Sequence, residues 1–151
     1  MCEDHTDVLM DVFSEVAENL AFMFVDPPEE DEFPEPTGPC VRAEMGFVGP
    51  FTGTVSLAVP ESLCPQIAAN VLGLDPDDEL VTAKPHDALK ELLNVTCGNL
   101  LTRIAGDEPV FDLTVPEVIS LDEESWQAYQ ENPKTVGLIL EDEPIIIGLF
   151  I

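Results

Sequence analysis

Glu91 and Asn94 stand three positions apart in the stretch D-A-L-K-E-L-L-N-V-T-C-G-N, residues 87–99. A carboxylate and a carboxamide at that spacing are neighbours on a helix surface. They offer a charged acceptor beside a neutral group that both donates and accepts hydrogen bonds. At about 100° of rotation per residue, Leu89, Leu92, Leu93, Cys97, Leu100 and Ile104 gather on one arc, and Asp87, Glu91, Asn94 and Gly98 gather on the other. The polar stripe is therefore a surface for presenting groups to another molecule. Gly98 costs the helix roughly 1 kcal/mol relative to alanine, and its missing side chain leaves room for a close approach to the backbone. By pattern alone such a stripe is also an ordinary solvated face, so the neighbouring segments have to decide.

The spacing predicts the helix that carries this stripe over residues 85–105. Pro85 suits its first turn, Asp87 sits near the positive end of the macrodipole, and Gly106 provides the stop. An earlier helix is predicted over 7–24, where Leu9, Val12, Phe13, Val16, Leu20 and Met23 recur at helical spacing and Asp4, Thr6 or Asp7 is available as a cap. It holds Asp11, Glu15, Glu18 and Asn19, a ragged echo of the later stripe in which Asn19 lies four places after Glu15. Residues 26–39 combine five prolines with a carboxylate run and read as a solvated acidic loop. Residues 40–47 and 51–59 alternate apolar with polar or small residues around V-G-P, which fits an antiparallel hairpin.

Residues 62–72 read as a short helix with Ser62 available as a cap and Pro65 in the first turn. D-P-D-D-E, residues 75–79, is expected to be a connector, since it lacks the ligand spacing and central glycine of a calcium loop. Residues 110–121 have β character, with Pro116 marking an edge, bulge or break. Residues 135–140 and 144–151 flank E-D-E as a second hairpin. The run I-I-I-G-L-F-I that follows Pro144 is apolar enough to be covered on both faces, and its place at the end of the sequence raises the expectation of strand pairing across a subunit boundary. The elements add up to one α+β domain over residues 1–151, an antiparallel sheet of about six strands with helices mainly on one side.

Composition narrows the function. With 31 acidic residues against 5 basic ones and a formal charge of −26, the chain lacks the clustered Lys and Arg that phosphate backbones require, and it repels anionic membrane surfaces. Neither nucleic acid nor a membrane is expected as a partner on that ground. Cys2, Cys40, Cys64 and Cys97 show no C-x-x-C spacing, and the acidic start lacks the basic region of a secretory leader, so a cytoplasmic protein with reduced thiols is expected. His5 and His86 are expected at the surface, outside any catalytic triad or metal cluster.

Asp87, Glu91, Asn94 and Gly98-Asn99 match the Asp-x-x-x-Glu-x-x-Asn helix signature of the CheC/CheX/FliY family of bacterial chemotaxis phosphatases, and the chain most resembles its CheX members. G-x-V-x-L-x-V-P at residues 53–60 and V-P-E-V-I at residues 115–119 look like family patterns in the expected order, so the likeness spans roughly residues 40–151. Two departures are the Ser120-Leu121 pair where the family often has glycine and the heavy acidic loop.

The resemblance implies a CheC-like fold and hydrolysis of the aspartyl phosphate of a CheY-like response regulator. Asn94 would orient the attacking water. Glu91 would make a charge-assisted contact with a lysine of the regulator, and Asp87 and Gly98 would belong to the docking surface. The protein needs no cofactor of its own, because the metal ion is expected on the regulator. A homodimer also fits the family. The main alternative is a noncatalytic adaptor that binds a response regulator, or a flagellar or signalling assembly, through the same surface. A self-contained hydrolase is the other rival.

Overall fold

Side chains alternate between the two faces of the sheet along each strand, and helices cover the two faces unequally. The computed structural model describes residues 6–28, 33–75 and 77–151. Cys2, the cap assigned to Asp4, His5, the acidic run 29–32 and Pro76 lie outside the described residues. In chain order the elements are α1 (Thr6–Ala21), β1 (Val25–Asp26), β2 (Cys40–Val48), β3 (Thr52–Pro60), a 3-10 turn (Glu61–Leu63), α2 (Cys64–Leu72), α3 (Glu79–Ala83), α4 (Asp87–Ala105), β4 (Asp112–Leu113), β5 (Glu117–Leu121), α5 (Glu123–Glu131), β6 (Thr135–Leu140) and β7 (Glu143–Phe150). The sheet runs β1-β6-β7-β3-β2 with every pairing antiparallel, and β4 and β5 both lie along the far side of β2. This is the α+β architecture expected, with seven strands in place of about six. No described helix is long and apolar enough to cross a membrane.

One face carries the main core. Val41, Ala43, Met45 and Phe47 of β2 join Val55, Leu57 and Val59 of β3 and Ile145, Ile147 and Leu149 of β7, all beneath α1, α2 and α4. The period of two sends Cys40, Ala58 and Ile146 to the opposite face, where Trp126 and Tyr129 of α5 and Leu121 cover them. Helix α5 is not among the elements expected from the sequence, which leaves residues 122–134 between two β segments unassigned. Its signal was local: the Asp122 side chain accepts from Ser125 N at 2.7 Å as an N-cap, and Trp126 and Tyr129 sit three apart on one face.

Other boundaries shift for physical reasons. Helix α1 stops at Ala21 because Phe22 turns left-handed at φ 53°, after which Met23 is fully buried. Ser62 does not cap α2. It lies in the 3-10 turn, and the helix begins after Leu63 with no side-chain cap, although Pro65 does occupy the first turn. The acidic connector ends as a helix start, since Asp78 accepts from Leu80 N at 2.9 Å and opens α3.

Strand β7 is buried from Pro144 through Leu149, as its composition required. It is nevertheless an interior strand, bonded to β6 on one side and β3 on the other. The expectation that it pairs across a subunit boundary is therefore overturned, because both rows of its backbone groups are already used. The outer strands of the described sheet are β1 and the β4/β5 line.

Leu140 pairs with Glu143, which leaves Glu141 and Asp142 as a two-residue turn at φ 49° and 67°. That geometry favours glycine at the second position. Asp142→Gly is expected to stabilise the protein by about 1 kcal/mol, seen as a higher urea midpoint at an unchanged slope; a lower midpoint would contradict it.

Cys40 and Cys97 are buried, and their thiols are pushed up to about 11, mainly by that burial and for Cys40 also by Glu143. In an unfolded chain the thiols ionise near 9.0, so their stabilising contribution is complete below pH 9 and is lost as the pH climbs toward 11. Urea midpoints should fall across that window, and fall less in the Cys40→Ala/Cys97→Ala variant.

Candidate functional site

The rotation of α4 about its axis is set by what it buries. Ala88, Leu89, Leu92, Leu93, Thr96, Cys97, Leu100 and Leu101 are buried, Ile104 packs half-buried on the same core, and the helix lies against α1, α2, β2 and β3. Asp87, Glu91 and Asn94 are left exposed on the outer side, with Gly98 half-exposed beyond them. The helix starts two residues later than expected: Pro85 lies in the preceding turn, and His86 is the N-cap residue, its carbonyl accepting from Lys90 N at 3.0 Å. Gly106 ends it at φ 85°, its N–H donating to Thr102 O at 2.8 Å.

Asp87, Lys90, Glu91 and Asn94 form one side of a shallow depression of 470 Å³, and Leu113, Thr114, Val115 and Pro116 form the other. The second wall is a β-bulge. Phe47 pairs with Leu113 and Glu44 with Glu117, so three residues, 114–116, stand opposite two, 45 and 46. Pro116 has no N–H to give the ladder. Thr114 bridges the gap instead, its N–H donating to Gly46 O at 2.9 Å and its Oγ1 accepting from Gly46 N at 2.7 Å. Just before the bulge, the Phe111 ring meets Phe47 and Phe51 edge-on at 6.0 and 5.1 Å, which fixes where the segment leaves the sheet edge. Val115 is then 81% exposed beside the polar pair. The break expected at Pro116 is present, and its position opposite Glu91 and Asn94 comes from strand pairing that no local spacing encodes.

Gly98 is not required by packing. A Cβ built there would meet nothing within 4 Å, so the open space faces outward. Asn99 lies off the stripe, as its angle predicts: its Nδ2 donates to Val95 O at 2.9 Å, and it borders a separate groove of 570 Å³ between α1 and α4 with Glu15, Asn19 and Arg103. In that groove Glu15 Oε2 accepts from Arg103 Nη2 at 3.1 Å. The echo of the signature in α1 is thus occupied by an exposed ion pair instead of standing free beside Asn19.

His86, expected at the surface, is only partly exposed there. Its Nε2 lies 2.7 Å from Glu61 Oε1 and the ring is half-buried. Cys64 adjoins this pair, and its thiol is pushed up to about 12 by burial and then by the Glu61 carboxylate.

An open antiparallel sheet that carries a single exposed Glu-x-x-Asn helix defines a protein of the CheC-like class. Within that class the chain belongs to the family described as Chemotaxis phosphatase CheX, whose sequence profile matches residues 41–137. Solved structures agree on the fold. The chain is 17% identical to a chain of the CheX-CheY-BeF3-Mg complex from Borrelia burgdorferi, covering 97% of each with a TM-score of 0.68. It is 18% identical to chemotaxis protein CheX from Vibrio vulnificus, covering 98% of this chain and 96% of that one at 0.67. It is 12% identical to FliY from Thermotoga maritima, covering 97% and 90% at 0.56. Comparison with curated protein sequences gives no significant match.

Since nothing packs on Gly98, Gly98→Ala should raise the unfolding free energy by roughly 0.5–1 kcal/mol. Chemical denaturation measures this, and a loss of stability would reveal a contact that the geometry lacks.

Proposed function

We propose that the protein hydrolyses the aspartyl phosphate of a CheY-like response regulator in bacterial chemotaxis or related two-component signalling, and that Glu91 and Asn94 are the residues it contributes. The observation that carries this reading is the joint exposure of the two side chains on one face of a rigid, core-anchored helix. The depression they border holds no histidine, cysteine or serine among its lining residues. An open surface of that composition suits docking to a partner that brings the phosphoryl group. The Borrelia CheX of like fold was crystallised with CheY, which supports a response regulator as that partner here.

Hydrolysis requires a water in line with the leaving carboxylate. The water oxygen bonds to phosphorus as the bond from phosphorus to the aspartyl oxygen breaks, giving a free carboxylate and inorganic phosphate. Positioning and charge stabilisation dominate such a step. Asn94, neutral and equipped with donor and acceptor, orients the water. Glu91 anchors the regulator through a lysine. Asp87 adds to the docking face, and Gly98 lets the partner come close. The metal ion at the phosphorylated centre is the regulator's. Val115 and Leu113 supply an apolar edge to the same surface. Placement in the cytoplasm and a homodimeric state belong to this reading. With a net charge of −26, docking depends on ionic strength.

Adding the protein to a phosphorylated cognate regulator should shorten the phosphate lifetime. Asn94→Ala is expected to reduce that acceleration by about 100-fold or more with binding retained, whereas Glu91→Ala weakens binding as well. An unchanged lifetime despite complex formation would favour the adaptor. Turnover of small phosphate esters with no regulator present would favour a self-contained hydrolase.

A further inference from the structure

Behind the start of the signature helix, three chain segments bring together a mixed donor set. Glu61 opens the 3-10 turn after β3, Cys64 is the first residue of α2, and His86 is the N-cap residue of α4. One carboxylate oxygen, one Sγ and one ring nitrogen lie within 4.8 Å of one another. Glu61 and His86 are already in contact at 2.7 Å. Linear spacing hides this cluster, since Glu61 and His86 are 25 positions apart. Cys64 closes the group from the buried side, and the partly exposed Glu61 and His86 leave it an entrance.

Thiolate, imidazole and carboxylate together are a donor set for zinc-like ions, whereas calcium and magnesium need more oxygen ligands than are present. Tetrahedral zinc bonds hold such donor atoms about 3.3–3.6 Å apart, so binding opens the 2.7 Å contact of Glu61 with His86 slightly while the three donors stay within the 4.8 Å they already span. We propose that Glu61, Cys64 and His86 bind one divalent ion of the zinc class, through a carboxylate oxygen, Sγ and a ring nitrogen, and leave a fourth position for water. On binding, the Cys64 S–H bond breaks, a sulfur–metal bond forms, and the proton passes to solvent. Asn94 lies eight residues along the helix from His86, about 12 Å of rise, so the ion takes no part in hydrolysis. It clamps the turn after β3 and the start of α2 to the first turn of α4, and so holds the register of the helix that presents Glu91.

Purified full-length protein loaded with cobalt(II) tests this through the thiolate-to-cobalt charge-transfer absorption, and zinc loaded on the same protein is counted by elemental analysis after dialysis. One equivalent of metal with a charge-transfer band is expected. Cys64→Ser should abolish the band, and His86→Gln, at a half-exposed position, should weaken zinc binding by more than roughly 100-fold while keeping the circular dichroism spectrum of the folded protein. Cys2→Ser and Cys40→Ser should leave both readouts intact, and zinc should raise the melting temperature of wild type but not of His86→Gln. Absence of stoichiometric metal, survival of the band in Cys64→Ser, or its loss in Cys2→Ser would overturn the proposal.

Discussion

Burial of one arc of α4 is the constraint on which the rest of the molecule depends. Leu89, Leu92, Leu93, Cys97 and Leu100 are fully buried against the sheet and its neighbouring helices. Each large side chain so buried contributes about 1.5–3 kcal/mol, far more than an exposed polar contact could recover. A rotation of one residue, about 100°, would expose part of that arc and bury Glu91 or Asn94 without a partner. The direction in which the polar pair points is therefore dictated by the core and not by the pair. Preorganisation of the backbone follows from packing: the helix that carries the two groups need not be ordered when another molecule arrives.

The second wall of the site has a different origin. Pro116 cannot donate to the ladder, so the strand beside β2 is interrupted, and the extra residue is absorbed by a bulge that Thr114 bonds to Gly46. Bulges re-aim side chains near functional surfaces. Here the bulge sets the apolar Val115 next to the polar stripe. The Phe47, Phe51 and Phe111 rings hold the segment in place from inside, so a packing cluster at the end of the sheet positions an exposed edge of the candidate site.

The two faces of the sheet divide the labour. The face beneath α1, α2 and α4 supplies the large core that anchors the signature helix. The other is closed by the short helix α5, where Tyr129 OH and Ser56 Oγ share a hydrogen bond of 2.5 Å and the Arg42 guanidinium lies over the Tyr129 ring. Burial holds the Tyr129 hydroxyl well above the usual range for a phenol, so this contact is neutral. The candidate site thus rides on a helix of one face, and α5 closes the other.

The sequence by itself determined what local periodicity encodes. The 3.6-residue repeat of leucines separated Glu91 and Asn94 from the core side of α4, alternation marked the strands of the first hairpin and a continuous apolar run the last strand, and the Glu-x-x-Asn signature with its flanking segments led to the right family. Only the tertiary structure decided which distant segments meet. It placed residues 113–116 opposite Glu91 and Asn94, made β7 an interior strand, put α5 on the far face, and joined Glu61, Cys64 and His86. Each of those facts depends on sheet order and on register between strands far apart in the chain. No spacing along a single element carries that information, because side-chain periodicity tells a residue which way to face and says nothing about what it will find there.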